Sequence, residues 1–458
     1  MAKKKAQSKP AAKAAKPSSK GHAKHDQKPP KKLQIRMYQV GFGDCFLLTF
    51  KYSKDEKQDK HVLVDFGTTA QTNELMVAIA NDIAKVTGGK LHAVVATHRH
   101  RDHISGFATA KGKGSGDIIA GLKPDLVVQP WTEDPEAKTD AKVPTKKLSS
   151  NQAFVRGLMR MDQFAGTVQQ FATQAIALRH EAGGKATPTL VQLGFLGENN
   201  LANLSAVKNL QELGGKNEYL SYGSETDLAA ILGVKIRVLG PPTLEQTDKT
   251  RKQRSKDAAE FWHFQAQAGQ DFVVAETSPF PDAGTRNIPP SARWITHRLD
   301  RTFLQQMLGV VRILDDAMNN TSLILLLEIG NQKLLFPGDA QIENWSYALF
   351  DSPDHEENQQ LLADVDLYKV GHHGSLNATP KSLWALFKHR SKKPTKERLK
   401  TLMSTQLGVH GHTHAGTEVP RSKLVQALNE ESDLHSTDKK KKTKLTFEPP
   451  KLVEIEFD

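Results

Sequence analysis

"ATHRHRDHISG", residues 96–106, sets His98, His100, Asp102 and His103 within six positions. The run before it, "LHAVV", is apolar and reads as a buried strand over residues 91–97, so the histidines stand in the loop at its carboxyl end. Ligand sites of open α/β sheets lie at such strand ends. Residues two apart in an extended segment point to the same side. His98, His100 and Asp102 can therefore converge on one point, while His103 turns to a neighbouring one. Imidazoles and a carboxylate without thiolates suit zinc, manganese or iron(II). Four such groups at one strand end are the pattern of a metal centre.

Working outward, "LQIRMYQVGFGDCFLLTFKY" holds two β-rich runs around the turn signal Gly41-Phe42-Gly43-Asp44, and "HVLVDFG" is a third strand stopped by Gly67. Leu75, Ile79, Ile83 and Val86 recur at helical spacing over residues 73–86, before Gly88-Gly89. Ser149 or Ser150 can cap a long helix whose apolar stripe runs Phe154, Leu158, Met161, Ala165, Val168, Phe171, Ala175 and Leu178. Packing of that stripe on the core is favoured over a lid or a dimer surface. A polar helical segment is expected over about 246–270. Core-like strands return at "IRVLGPP" and at "SLILLLEIGNQKLLFPGDA", the latter a hairpin about Gly330-Asn331. "DLYKVGHHGS" is again a strand that ends in histidines. In "NATPKSLWALF" Thr379 is the expected N-cap and Pro380 the first helical residue, and "LVEIEF" closes the chain as a strand.

The chain has 458 residues and a formal net charge of +12. Eleven lysines and one acid, Asp26, fall within residues 1–32, which leaves +2 for the remainder. That segment has almost nothing to bury and is expected to be disordered. It can attract nucleic acid without sequence preference, or serve only solubility. The basic run "KKKKTK" at 439–444 reads as a solvated loop. No stretch of about 18 apolar residues and no signal-peptide core occurs, so the expectation is a soluble, cytoplasmic protein with no membrane span. Cys45 is the single cysteine, so no internal disulfide can form and a cysteine zinc knuckle is excluded.

"THRHRDH" resembles the His-x-His-x-Asp-His signature of the metallo-β-lactamase fold, and further motifs follow in that family's order. "VDFG" is similar to its early aspartate motif, "FPGDA" to its metal-bridging Gly-Asp, and "VGHHGS" to its late histidine motif. More narrowly, "VGFGDC", "VDFG", "THRHRDHISG", "FPGDA" and "KVGHHGS" together resemble the soluble metallo-β-lactamase-like domain of bacterial DNA-uptake (competence) channel proteins and their standalone relatives. The resemblance implies an α/β fold, the αββα sandwich, over residues 33–458, with helical insertions at about 140–220 and 245–310. It implies two divalent metal ions, zinc or manganese. His98 and His100 would bind one, Asp102, His103 and His372 the other, and Asp339 would bridge them. Asp65 would orient an imidazole from behind. His373 stands beside His372 as the alternative ligand. Most of the family places another metal histidine about twenty residues before the bridging aspartate. Here "MNNTSLIL" puts Asn319 or Asn320 there, a poor zinc ligand, and "GVHGHTHAG" offers His410, His412 and His414 as replacements.

The implied chemistry is hydrolysis by a metal-bound hydroxide, with Asp102 orienting the nucleophile or taking its proton and with Ser375 and Asn377 as candidate substrate contacts. A phosphodiesterase or nuclease is the favoured class. A hydrolase of lactones, thioesters, β-lactams or small phosphoesters is the alternative, and a non-catalytic nucleic-acid-binding protein on the same fold is the third reading. The residues do not decide the oligomeric state.

Overall fold

Alternation decides how the sheets face. In β1 (Lys32–Met37) Leu33, Ile35 and Met37 are buried and their neighbours are not, as expected of a strand with one wet face. The next strands, β2 (Cys45–Lys51) and β3 (Lys60–Phe66), are buried on both faces for most of their length, so something must cover each side. The computed structural model describes residues 28–69, 72–134, 150–181, most of 183–194, 204–247, most of 304–311, 315–409, 418–438 and 445–457.

Ten further strands complete two sheets: β4 (Ala93–Val95), β5 (Leu126–Pro130), β6 (Lys216–Leu220), β7 (Lys235–Gly240), β8 (Ile324–Ile329), β9 (Gln332–Phe336), β10 (Leu367–Lys369), β11 (Lys400–Met403), β12 (Asp433–Ser436) and β13 (Lys451–Glu456). The first sheet runs β13-β1-β2-β3-β4-β5-β6 and the second β12-β11-β10-β9-β8-β7. In each, an antiparallel part leads into a parallel part, at β3–β4 and at β9–β10. Between the sheets Leu33, Phe46, Leu48, Val62, Val64 and Val95 meet Leu325, Leu327, Leu334, Phe336, Leu367 and Leu402. Each such side chain contributes about 1.5–3 kcal/mol by leaving water. Outside the first sheet, Leu75, Ile79 and Ile83 of the helix Asn73–Val86 cover Leu47, Leu63 and Val94. Outside the second, Trp345, Leu349, Leu362, Leu383 and Leu428 cover Leu326, Leu335 and Tyr368. The four layers are helix, sheet, sheet, helix: the expected αββα sandwich. Among the described residues no helix is long and apolar enough to cross a membrane.

Three local readings need revision or completion. The strand before the histidines is shorter than expected, Ala93–Val95, although Ala96 N–H still donates to Val128 O at 3.0 Å. Pro380, not Thr379, is the N-cap of the helix Lys381–Leu386, because the Thr379 hydroxyl is drawn inward onto the buried Tyr368 hydroxyl at 2.9 Å. The long helix spans Ser150–Glu181. Its Val168 and Ala172 do not join the sandwich core but pack with Leu190, Leu193, Met307, Leu308 and Val311 in a cluster of their own. Ser149, the side chains of Phe154, Leu158, Met161 and Ala165, the tail through residue 27, residues 248–303, His410, His412, His414 and the lysine run 439–444 lie outside the described residues.

Gly67 lets the metal-ligand loop sit against β3. A Cβ there would collide with the backbone of Asp102 and His103, and one at Gly43 would meet Gly67 O and Asp102 O. Gly67→Ala is therefore expected to destabilise by at least about 1–3 kcal/mol, the usual cost of overpacking a closed site. The check is the urea midpoint of the variant, with an unchanged midpoint as the contrary result.

Candidate metal centre

Five strand ends of the two sheets deliver the site to one edge of the sandwich. β3 carries Asp65 next to its last residue, β4 leads through Thr97 to His98 and His100, and the turn Arg101–Ile104 carries Asp102 and His103. The residues after β9 include Asp339, those after β10 include His372 and His373, and Ser404 follows β11. Alternation sends Arg99 away from its two histidine neighbours, into a buried pair with Glu133 at 2.9–3.0 Å. Asp65, His372 and His373 adopt positive φ (53°, 46° and 51°), a conformation that costs an L-residue about 1–3 kcal/mol and clusters at functional sites.

The histidine nitrogens divide into outer and inner sets. His103 Nδ1 lies 2.8 Å from Asp65 Oδ2, and His373 Nδ1 lies 3.0 Å from Ser404 O. Neither acceptor can donate, so both Nδ1 atoms carry protons. Thr97 Oγ1 gives its proton to Asp65 Oδ2 at 2.8 Å and is left to accept from His98 Nδ1 at 3.2 Å. The inner nitrogens converge: His103 Nε2 is 3.0 Å from Asp339 Oδ2, His373 Nε2 is 2.8 Å from Asp102 Oδ2, and His98 Nε2 is 2.9 Å from His100 Nδ1. Asp102, His103, Asp339 and His373 offer ligand atoms that all lie within 4.8 Å of one another. Outer tethers of this kind fix the tautomer and aim of metal-binding imidazoles.

Asp339 uses its two oxygens differently. Oδ1 accepts from His372 N–H at 2.8 Å and from Lys369 Nζ at 3.3 Å, which leaves Oδ2 to face His103 and, at 3.9 Å, His373. Lys369 also donates to Gly338 O and pairs closely with Asp44, so all three of its protons are spent in the interior. Burial pulls the Lys369 pKa down, but Asp44 and Asp339 outweigh it and hold the ammonium charged. Burial likewise pushes Asp339 up, and His103 and Lys369 reverse that, keeping it well below the usual carboxylate range. For His103 burial favours the neutral ring, yet Asp339, Asp65 and Asp102 hold its pKa well above the ordinary value. His98 moves the other way, lowered by burial and then by His103 and His100. Protons and metal ions compete for these nitrogens, because ligating imidazoles must give up the inner proton.

Several of the predicted residues thus come together: His98, His100, Asp102, His103 and Asp339, with Asp65 behind His103. Of the two adjacent late candidates, His373 brings its ring into the four-residue cluster, while His372 stands beside it with Nδ1 buried and without a hydrogen-bond partner. The physical reason is the pair of positive-φ residues, which spends the His372 N–H on Asp339 and turns the next ring inward, while the His372 ring stands 6.2 Å from that of His373. Asn320 has both ends of its amide engaged, Nδ2 on Glu343 Oε2 at 3.0 Å and Oδ1 on Asn344 N–H at 3.3 Å. Asn319 is fully buried. Ser375 is half-buried and Asn377 exposed in the turns that follow His373. Asp44, Lys369 and Ser404 were not foreseen. A lone lysine in the last position of a buried strand, "LYK", was the available signal for one of them.

Residues 38–141 match the family model of the metallo-beta-lactamase superfamily. The matched stretch holds Asp44, Asp65, His98, His100, Asp102 and His103. No curated protein matches the chain. The two sheets and their covering helices agree with the metallo-β-lactamase αββα fold, and the His/Asp cluster is arranged as in dinuclear metallo-hydrolases and is capable of binding metal.

Proposed function

We propose that this chain is a metal-dependent hydrolase of phosphodiesters, with nucleic acid as the polyanion that it meets. The observation that carries the reading is the convergence of inner nitrogens on carboxylates, among which Asp102 Oδ1 is buried without a hydrogen-bond partner. A buried carboxylate oxygen left unpaired is costly; a cation in the cluster satisfies it. His103, His373, Asp102 and Asp339 would hold one ion and His98 and His100 the other, and the resemblance implies Asp339 as the carboxylate that would serve both. Bound there, two such ions would supply a water whose pKa is lowered to about 7 and a polarised oxygen on the electrophile.

The chain's own residues supply the rest. Asp102 is tied to His373 through Oδ2, and its Oδ1 can orient the attacking water or take its proton. Lys369 and His372 N–H hold the other oxygen of Asp339, so the shared oxygen stays fixed. Charge favours two ions over one. With the ligating imidazoles neutral, as metal binding requires, Asp44, Asp65, Asp102 and Asp339 are buried beside the ammonium of Lys369, a surplus of three negative charges. One divalent ion would leave the pocket negative, whereas two would offset the surplus and leave one positive charge for a bound hydroxide to balance. The resemblance to DNA-uptake domains and the +10 segment at residues 1–32 support a nucleic-acid phosphodiester. Cytoplasmic placement is part of the same proposal.

The test is a screen of single-stranded DNA, duplex DNA, RNA and bis(p-nitrophenyl) phosphate with zinc and manganese compared. Turnover of a phosphodiester is expected. Turnover confined to lactones, thioesters or β-lactams overturns the substrate class, and none at all overturns the enzyme. The boundary of the tail lies before residue 32, because Lys31 pairs with Lys51 and Phe457 and Lys32 opens β1. Deleting residues 1–27 should weaken DNA binding and flatten its salt dependence, since fewer counterions are released. Unchanged binding and slope would assign that segment to solubility.

A further inference from the structure

We infer that Asp315 is a positioning residue for His100, holding the outer nitrogen of that ring so that Nδ1 faces His98. The two nitrogens of His100 look to different partners. Nδ1 lies 2.9 Å from His98 Nε2, and Nε2 lies 3.7 Å from Asp315 Oδ1, with the Asp315 side chain 14 % exposed. That is ion-pair reach rather than a hydrogen bond, and a carboxylate there favours the proton on Nε2 and the lone pair on Nδ1. The outer nitrogens of His98, His103 and His373 face Thr97, Asp65 and Ser404. Asp315 gives His100 its equivalent, and it comes from a different part of the chain.

The segment that carries Asp315 is pinned to the site. Asn320 N–H donates to Asp316 O at 3.0 Å, Leu323 N–H to Thr97 O at 3.0 Å, and Asp339 N–H to Ser322 Oγ at 3.2 Å. The helical stretch over residues 315–319 therefore leads into a segment tied to the same two residues, Thr97 and Asp339, that frame the cluster. Orientation matters most at this ring. Among the described residues, the position where the resemblance expects a third imidazole holds Asn319 and Asn320, and Asn320 is engaged with Glu343 and Asn344. A carboxylate behind an imidazole fixes the aim of the ring and raises its basicity as a ligand. Asp315 itself is not placed as a ligand, because it lies on the far side of the ring from His98.

This role rests on the cluster being a two-metal centre, and the experiment separates the two ideas. Asp315→Ala, Asp315→Asn and Asp315→Glu are made in the full chain, and zinc affinity is measured by chelator competition alongside the visible spectrum of the cobalt-loaded protein. Asp315→Ala should weaken one of two ions by about tenfold to a hundredfold, leave the other unchanged and alter the cobalt bands of one site. Asp315→Glu should recover part of the loss, and Asp315→Asn should fall between. Wild-type affinity for both ions and an unchanged cobalt spectrum in Asp315→Ala would overturn the role of Asp315 alone. A wild-type chain that binds no zinc or cobalt would overturn both ideas.

Discussion

Asp339→Asn is expected to lose at least one metal ion and about a hundredfold or more in turnover while the fold survives. Removing an outer partner of a metal site already costs about 10- to 100-fold, and Asp339 is placed to be a direct ligand. Its Oδ2 lies 3.0 Å from His103 Nε2, although 236 residues separate the two in sequence. The amide keeps shape and volume but removes one of the four buried negative charges that two dications would offset. It also presents either an N–H2 or a weaker carbonyl to the inner nitrogens. Metal stoichiometry and phosphodiester turnover, measured together, check the result. Two bound ions with wild-type turnover would remove Asp339 from the shared position.

Lys369→Met should lower the stability of the metal-free chain by about 3–5 kcal/mol, the cost of leaving a buried charge without its partner. Lys369 is 3 % exposed at its side chain and stands between Asp44 and Asp339, which are no more exposed. Methionine matches the stem but leaves the two carboxylates facing one another. Added zinc or manganese should restore part of the loss, because the ions offset the same charges. A double variant with Asp44→Asn should lose less than Lys369→Met alone, since it no longer strands Asp44. Urea midpoints with and without metal read all of this out, and a Lys369→Met midpoint equal to wild type contradicts it.

The parts legible in the sequence were those set by short-range pattern. The helix Asn73–Val86 follows from apolar residues at helical spacing, and the hairpin of β8 and β9 from two apolar runs about Gly330. The ligand loop follows from the same logic, because a strand end that exposes alternate residues determines which side His98 and His100 take. What pattern could not resolve depends on backbone twist and on long-range partners. His372 and His373 are adjacent and chemically alike. Only their positive φ, together with the carbonyl of Ser404 just after β11, decides which ring turns inward. Asp44 and Lys369 each read as a single charge in an apolar stretch, and their role appears only where two sheets meet. Asp315 lies 215 residues from His100, beyond any local signal.

The most direct test of the central claim is a metal titration of the chelator-stripped chain, with bound zinc or manganese counted by elemental analysis after removal of free ions. The inner nitrogens of four histidines, the shared Asp339 oxygen and the surplus of buried negative charge predict saturation at two ions per chain. Saturation at one, or no retained metal, would contradict the two-metal centre from which the proposed hydrolysis follows.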